Sequence, residues 1–380
     1  MSLQLPPLAL YIHVPWCVRK CPYCDFNSHA QRGELPEAEY IACLLEDLKA
    51  EAELAQGRNI STIFIGGGTP SLFSADNYKQ LLQQIDRIVP IEADAEITLE
   101  ANPGTFEQEK FRGYREAGIN RLSIGIQSFG DHQLQALGRI HSSADAIQAA
   151  ELARELFPRL NLDLMHGLPG QDQAGAMHDL QQAIALQPDH LSWYQLTIEP
   201  NTEFHARPPQ LPVDDTLWAI QERGQALLAE QGYQQYEISA YAQSEKDRSR
   251  HNLNYWQFGD YLGIGAGAHG KITLSEQDRM IRRWKQKQPK AYMDPQRRLG
   301  GETELPTEER AFEFMLNALR LYQGVPAELF SQRTGLSLES IREELTQARR
   351  QGLLTADTRY LRPSEKGRLF LNDLLSIFLI

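Results

Sequence analysis

The feature that most constrains the fold is a regular alternation of short apolar runs and amphipathic stretches along the N-terminal half of the chain. Each apolar run is rich in β-branched and aromatic residues and suits one buried strand. The stretches between them repeat apolar residues three and four positions apart, as a helix packed against a sheet does. The pattern predicts an α/β protein with strands at residues 8–14, 61–67, 95–101, 121–127, 160–166 and 190–198.

Six strand–helix units predict a partial (β/α)6 parallel barrel over residues 1–212. Chemistry in such barrels collects where the strands end and the following loops begin. Glu100, Gln127 and Asp163 are polar residues that each follow an apolar run near the end of a predicted strand. Any one of them alone is explained more simply by strand-end capping, whereas together they suit ligand contacts at one rim.

The rest of the chain predicts two further parts. Residues 213–300 read as an added α+β segment, and residues 301–380 as a winged-helix-like domain of three helices followed by two short β-like runs. The C-terminal part holds 10 basic and 12 acidic side chains, and the chain carries a net charge of −12. That balance disfavours nucleic acid, so we expect docking within the chain or onto a protein. Residues 279–298 hold eight basic side chains and one acid, and are more simply a solvated connector than a binding patch.

The N-terminus and the hydropathy pattern predict a cytoplasmic protein. No apolar run approaches the roughly 20 residues of a membrane-spanning helix. The first residues lack the basic region and cleavage site of a secretory signal. Thiols stay reduced in the cytoplasm, so clustered cysteines there bind metal or catalyse rather than form disulfides.

Three cysteines, Cys17, Cys21 and Cys24, form a C-x3-C-x2-C loop directly after the first predicted strand. Structural zinc takes four ligands, and the remaining Cys43 lies on a predicted helix where a core position explains it better. A [4Fe–4S] cluster normally takes four thiolates, so three leave one iron open to the N and O atoms of a small molecule. A zinc protein with a fourth ligand from elsewhere stays the alternative.

With Tyr23 just before its last cysteine, this loop resembles the signature of the radical S-adenosylmethionine superfamily. The resemblance implies a [4Fe–4S] cluster whose open iron binds S-adenosylmethionine through its amino and carboxylate groups. The glycine-rich "IFIGGGTPS" that ends the second strand matches the superfamily's contact to the amino group. Tyr11, Gly67 and Glu100 match positions that contact this first S-adenosylmethionine.

Longer motifs, among them "GGGTPS", "NRLSIGIQSF", "NLDLMHGLPGQ" and "HLSWYQLTIEPNT", resemble oxygen-independent coproporphyrinogen III oxidases over nearly the full chain. Those enzymes bind a second S-adenosylmethionine. The resemblance assigns that second site here to Gly68, Thr69, Gln127, Arg139 and Asp163.

Two features point away from the oxidases. Their motif continues to a further cysteine, where this chain has Phe26. The string "HNLNYW" at 251–256 matches the HNxxYW motif of the HemW-type heme chaperones. That resemblance implies heme binding and delivery to respiratory heme proteins, which includes acceptors at the membrane surface. It makes His251 a candidate axial ligand, with Tyr255 and Trp256 as flat faces for the porphyrin. His13, His166 and His269 are weaker candidates.

Three functions stay open on these residues. The leading hypothesis is a binding protein, a heme chaperone, whose cluster regulates assembly or transfer rather than turning over a porphyrin, which leaves enzymatic activity open. The alternatives are coproporphyrinogen III oxidase and a radical methyltransferase, and cleavage of S-adenosylmethionine would require an electron donor such as a flavodoxin. The "GAGAHG" string at 265–270 precedes a predicted strand rather than a helix, so it predicts a tight turn and not a dinucleotide site.

Overall fold

The computed structural model describes residues 2–104 and 108–379. Its strands are β1 Leu8–Val14, β2 Trp16–Cys17, β3 His29–Ala30, β4 Ile60–Gly67, β5 Ile91–Ala101, β6 Arg121–Gln127, β7 Arg159–His166, β8 His190–Gln195, β9 Gln234–Glu237, β10 Ala240–Ala242, β11 Asp260–Ile264, β12 His269–Leu274, β13 Arg279–Lys285, β14 Leu299–Glu304, β15 Val325–Pro326 and β16 Tyr360–Leu361.

The α-helices surround the sheet or form the C-terminal part. They are α1 Glu37–Glu51, α2 Ala75–Ile88, α3 Phe111–Glu116, α4 Asp131–Ala136, α5 Ser143–Leu156, α6 Gln173–Ala185, α7 Glu203–Ala206, α8 Asp214–Glu230, α9 Arg250–Trp256, α10 Pro289–Tyr292, α11 Arg310–Ala318, α12 Ala327–Thr334, α13 Arg342–Arg350, α14 Glu365–Leu369 and α15 Leu371–Ser376. Within residues 2–104 and 108–379, every helix is too short or too polar to span a bilayer.

One sheet organises the N-terminal part of the described chain. Its strand order is β14-β13-β12-β11-β1-β4-β5-β6-β7-β8-β10-β9, and the seven strands from β11 to β8 run parallel. Strands of parallel sheets are buried on both faces, which explains the continuous apolar runs. The six predicted strands and the α/β class are confirmed, although β8 ends at Gln195.

Residues 213–300 extend the same sheet. Strand β11 pairs in parallel with β1, and β12, β13 and β14 continue outward as antiparallel neighbours. The division of the chain at residues 212 and 300 stays a prediction. The predicted turn at 265–270 is confirmed, because Gly265 and Gly267 have φ of 103° and 82° and β12 follows.

The prediction of a solvated basic connector at residues 279–298 is wrong for its first half. Residues 279–285 form β13, which lies between β12 and β14. Lys285 is buried, and its Nζ lies 2.6 Å from Asp47 and 2.5 Å from Glu51 on α1. A local count of charges does not show that two of the matching acids lie on a distant helix.

The C-terminal part has the expected order of three helices, α11, α12 and α13. Strand β16 pairs with β15, which lies between the first two helices rather than after the third. A bridge between Leu354 and Pro363 adds the second β-like contact. Phe314 and Phe330 share one buried cluster with Phe258 and Met280 from the sheet side, so this part docks within the chain as expected.

Candidate functional site

A cavity of about 410 Å³ lies at the C-terminal ends of the parallel strands, and we call it the thiol cavity. All three cysteines of the loop line it. So do most of the residues that the sequence assigned to cofactor binding. They are Gly67, Gly68, Thr69, Glu100, Gln127, Arg139 and Asp163.

The three loop cysteines are free thiols with little solvent contact. Cys17 is buried, and Cys21 and Cys24 are half-buried. Burial and the two neighbouring thiols raise the pKa of Cys17 to about 11, so binding a metal there must displace a proton. Cys43 lies outside this cavity on α1 and packs against the core, as expected.

The three loop thiols are the donor set that the cavity offers to a metal centre. Among the residues that the structure describes, no three His, Cys, Asp or Glu side chains converge on a point that could hold a single ion. The three thiols nevertheless share one cavity wall. In a cubane each thiolate binds a different iron, so its ligands stand apart from one another.

The end of β4 brings backbone to the cavity surface. Gly67 has φ of 117°, and a Cβ there would lie 2.6 Å from the His13 ring. A Cβ on Gly68 would lie 2.4 Å from the Trp16 carbonyl oxygen. The N–H of Gly67 donates to Glu100 Oε2 at 3.1 Å. Only glycines permit this close arrangement, which places an amide and a carboxylate side by side.

Glu100 is held in an environment that disfavours its charge. Burial and the nearby Asp163 raise the pKa of the Glu100 carboxyl to about 8, and the Gly67 N–H opposes this. A cationic amino group placed beside Glu100 and Asp163 would relieve both effects. The amino group of S-adenosylmethionine has that chemistry.

The thiol cavity also carries a fixed cation, Arg139. Arg139 Nη2 donates to Asn102 Oδ1 at 2.7 Å and to the Gly125 carbonyl at 2.8 Å, and Nη1 lies 3.9 Å from Cys21 Sγ. Its closest hydrogen-bonding partners on other elements are uncharged oxygens. The positive charge is therefore held in place and available to an anionic group such as a carboxylate.

The end of β6 is distorted towards the cavity. Gln127 has φ of 68°, and its Oε1 accepts a hydrogen bond from Tyr194 at 3.2 Å. Asp163 on β7 accepts from Ser123 at 2.8 Å and from Asn161 at 2.9 Å. A non-glycine residue at positive φ is uncommon, and this one lies on the cavity wall.

A second cavity of about 890 Å³ lies between the sheet and the C-terminal part, and we call it the aromatic cavity. The sheet side contributes Tyr11, and α9 contributes Tyr255 and Trp256. Tyr11 therefore lies on this wall and not on the thiol cavity. The two cavities share Phe26, Gly67 and Glu100, so they adjoin. Aromatic or apolar side chains also come from Phe64, Phe258, Tyr261, Phe312, Leu316 and Leu379.

His251 lines neither cavity. It is 1% exposed, and its Nδ1 and Nε2 are hydrogen-bonded to Thr62 Oγ1 and Tyr255 Oη, each at 2.9 Å. Burial and Arg121 lower the pKa of His251 to about 3, so the ring is neutral. Both nitrogens are occupied within the protein, so in this arrangement His251 holds Tyr255 in the cavity wall.

One buried polar atom in the wall of the aromatic cavity has no hydrogen-bond partner among the described residues. Trp256 lines the cavity, and its buried Nε1 has no hydrogen-bond acceptor within the described residues. Arg320 lies over the same indole ring, with its guanidinium carbon 4.2 Å from the centroid. Buried indole N–H groups normally find an acceptor, so this N–H is an unsatisfied donor behind the cavity surface, while the residue contributes an aromatic side chain to the wall.

Known protein families and individual proteins match the sequence of this chain. The family model of the Radical SAM superfamily matches residues 11–182, and that of the HemN C-terminal domain matches residues 305–370. The chain is 53% identical to the heme chaperone HemW of Escherichia coli and 52% identical to that of Haemophilus influenzae, and each alignment covers 99% of both chains.

The chain belongs to the HemW family of radical SAM proteins.

A solved structure carries the same fold as this HemW-family chain. It is coproporphyrinogen III oxidase (HemN) from Escherichia coli, with a TM-score of 0.83 and 24% identity over 98% of this chain and 90% of that one. The expected radical SAM fold is thereby confirmed, together with the expected family.

The structure adds site residues that the sequence did not single out. Asn102 and Tyr194 line the thiol cavity, and each stands two positions after another cavity residue, Glu100 and Ser192. The two-residue period of a strand carried that signal. No sequence signal identifies Phe312 and Leu316 as residues of the aromatic cavity, because their position there depends on how the C-terminal part docks.

Proposed function

We propose that this protein binds heme in the aromatic cavity and passes it to acceptor heme proteins, with a [4Fe–4S] cluster and S-adenosylmethionine in the thiol cavity. One observation carries the proposal. A large aromatic cavity shares a wall with a cavity that holds three free thiols. The curated relatives with this sequence pattern are named heme chaperones.

The aromatic cavity suits heme in size and chemistry. Its volume of about 890 Å³ lies near the top of the range of about 300–1,000 Å³ for small-molecule sites. Tyr255, Trp256 and Phe258 present apolar faces to a flat macrocycle. Lys271 and Arg282 line the same cavity as hydrogen-bond donors for the propionates, which would share these donors with their acidic partners Asp260 and Glu313.

The thiol cavity suits the cofactors of the superfamily. Cys17, Cys21 and Cys24 would hold the cluster, and Glu100 with Arg139 would orient the amino and carboxylate groups of S-adenosylmethionine. When bound, the cluster supplies single electrons, and productive cleavage would need a donor such as a flavodoxin. Occupancy of this cavity acts on Gly67 and Glu100, which also form part of the heme wall.

We propose binding and transfer rather than porphyrinogen oxidation. The oxidase motif places a cysteine where this chain has Phe26, which is 59% exposed and lies at the junction of both cavities. Acceptors would be respiratory heme proteins. An anaerobic assay with coproporphyrinogen III and intact cluster should therefore yield no protoporphyrinogen IX, and formation of that product would favour the enzymatic alternative.

Filling the cavity tests heme binding directly. Leu316 lines the aromatic cavity and is 42% exposed, so Leu316→Trp adds bulk there without disturbing the core. Leu369 is 59% exposed and does not line it, so Leu369→Trp is the matched control. We expect hemin titration to show weakened binding only for Leu316→Trp. Equal binding by both variants would place heme elsewhere.

A transfer assay tests delivery. Heme-loaded protein is mixed with an apo-form respiratory heme protein, and the acceptor's own absorbance is followed with and without reconstituted cluster and S-adenosylmethionine. We expect transfer faster than spontaneous heme uptake by the acceptor, and dependent on cluster state. Heme transfer no faster than uptake of free hemin by the acceptor would refute the proposed chaperone function.

A further inference from the structure

The histidines around the aromatic cavity differ in whether their ring nitrogens are available. His251 lies behind the wall, with both nitrogens occupied. His13 lines the cavity but is also fully engaged, because Nδ1 is 2.9 Å from Tyr11 Oη and Nε2 is 2.8 Å from the Asn27 carbonyl. Neither ring can ligate a metal without first breaking internal hydrogen bonds.

His269 is the exception. It lines the aromatic cavity, is solvent-exposed, and has no side-chain hydrogen bond to any part of the chain that the structure describes. The residue begins β12 directly after the turn at Gly265 and Gly267, and that strand pairs with β13 over six residues. A rigid strand end therefore carries an imidazole whose nitrogens are free.

The electrostatic setting favours the form of imidazole that binds iron. Partial burial of the ring, with Lys287 and Arg282 nearby, lowers the pKa of His269 and so favours the neutral imidazole. Neutral imidazole is a common axial ligand of heme iron. His29, which lies on the same side of the molecule, is hydrogen-bonded through Nε2 to the Lys287 carbonyl at 3.3 Å.

The strand around His269 also places charge for a porphyrin edge. Lys271 stands two positions further along β12 and so faces the same side of the sheet, and Arg282 lies directly across from it on β13. Lys271 and Arg282 both line the cavity. Their acidic partners are Asp260 and Glu313, so the pairs fix the cations in place.

We infer that His269 is the axial ligand of the heme iron in the aromatic cavity, and that His251 is a positioning residue that holds Tyr255 against the macrocycle. The inference rests on the proposed heme-binding function and deepens it. It separates two roles that the HNxxYW motif would otherwise combine in one histidine.

The test is a hemin titration of the full-length protein and three variants, read by the Soret band and by electron paramagnetic resonance of the ferric complex. His269→Ala removes the proposed ligand, and the exposed His178→Ala on α6 is the matched control. Thr62→Val disturbs only the partner of His251 Nδ1. Exogenous imidazole is then added to His269→Ala, because it can replace a missing imidazole ligand.

We expect His269→Ala to change the spin-state signature and to weaken binding at least about tenfold, and imidazole to restore the signature. His178→Ala should keep the wild-type spectrum, and Thr62→Val should keep the wild-type axial-ligand signature. An unchanged spectrum in His269→Ala while the wild type binds heme would overturn the ligand assignment alone. Loss of the axial-imidazole signature in Thr62→Val, with its retention in His269→Ala, would assign the iron to His251 instead. Absence of heme binding by the wild type would instead overturn the proposed function.

Discussion

Replacing Thr62 by valine tests how His251 is held. Thr62 is 2% exposed on β4, and its hydroxyl oxygen lies 2.9 Å from His251 Nδ1. Valine keeps the branched shape, so the packing around the side chain is preserved and only the polar contact is lost. The imidazole is 1% exposed and stacks on Phe64 with ring centroids 5.2 Å apart, so water cannot replace the lost partner.

The cost follows from that burial. A buried nitrogen left without a partner costs about 1–3 kcal/mol, whereas a surface substitution usually changes stability by less than about 0.5 kcal/mol. Thr303→Val is the matched control, because Thr303 is exposed on β14 and its hydroxyl makes only a 3.4 Å contact. We therefore expect the free energy of unfolding to fall by about 1–3 kcal/mol for Thr62→Val and to stay unchanged for Thr303→Val.

Equilibrium urea unfolding of both variants and the wild type measures the difference. An equal slope with a lower midpoint identifies a loss of stability rather than a change in the unfolded state. If Thr62→Val unfolded at the wild-type midpoint, the His251 ring would not depend on this hydrogen bond. The reasoning that burial makes the contact between Thr62 and His251 essential would then be refuted.

Three further predictions concern the thiol cavity. Cys17→Ala should lose cluster iron and sulfide after anaerobic reconstitution, while Cys43→Ala, outside the cavity, should retain both; equal loss would contradict the ligand assignment. Arg139→Gln should weaken S-adenosylmethionine binding by about ten- to a hundredfold in equilibrium dialysis, since it removes charge-assisted hydrogen bonds. Unchanged affinity would contradict a contact between Arg139 and the carboxylate of S-adenosylmethionine. The raised pKa of Glu100, about 8 against 4.5 when unfolded, means that unfolding releases a proton between these values, so stability declines as pH rises through this window. Urea unfolding of Glu100→Gln should show a shallower decline, and an identical profile would contradict the assignment.

The local features of the site could be predicted from the sequence, because they depend on short-range patterns. Parallel strands can be recognised in a sequence by their continuous apolar runs. Polar residues at the ends of these strands lie along one rim of the sheet. Glu100, Gln127 and Asp163 were found in this way and meet in the thiol cavity. The spacing of Cys17, Cys21 and Cys24 placed three thiols in one loop for the same reason.

Contacts between residues far apart in the sequence could not be predicted from such local patterns. Lys285 reads as part of a solvated basic run, yet it is buried against Asp47 and Glu51 on α1. The charge balance of a segment is local, whereas the partners of a buried charge lie wherever the fold brings them. That is why the basic run was misread and the six strands were not.

The sequence by itself determined the βα repeat, the three-thiol loop and the HNxxYW string, since each is written in contiguous residues. Only the tertiary structure decided which face of α9 meets the aromatic cavity, so that Tyr255 lines it and His251 lies behind. Helix orientation is set by the C-terminal part packing on the sheet, through residues such as Phe314 and Phe258. A motif names the side chains available, but packing determines which of them a ligand can reach.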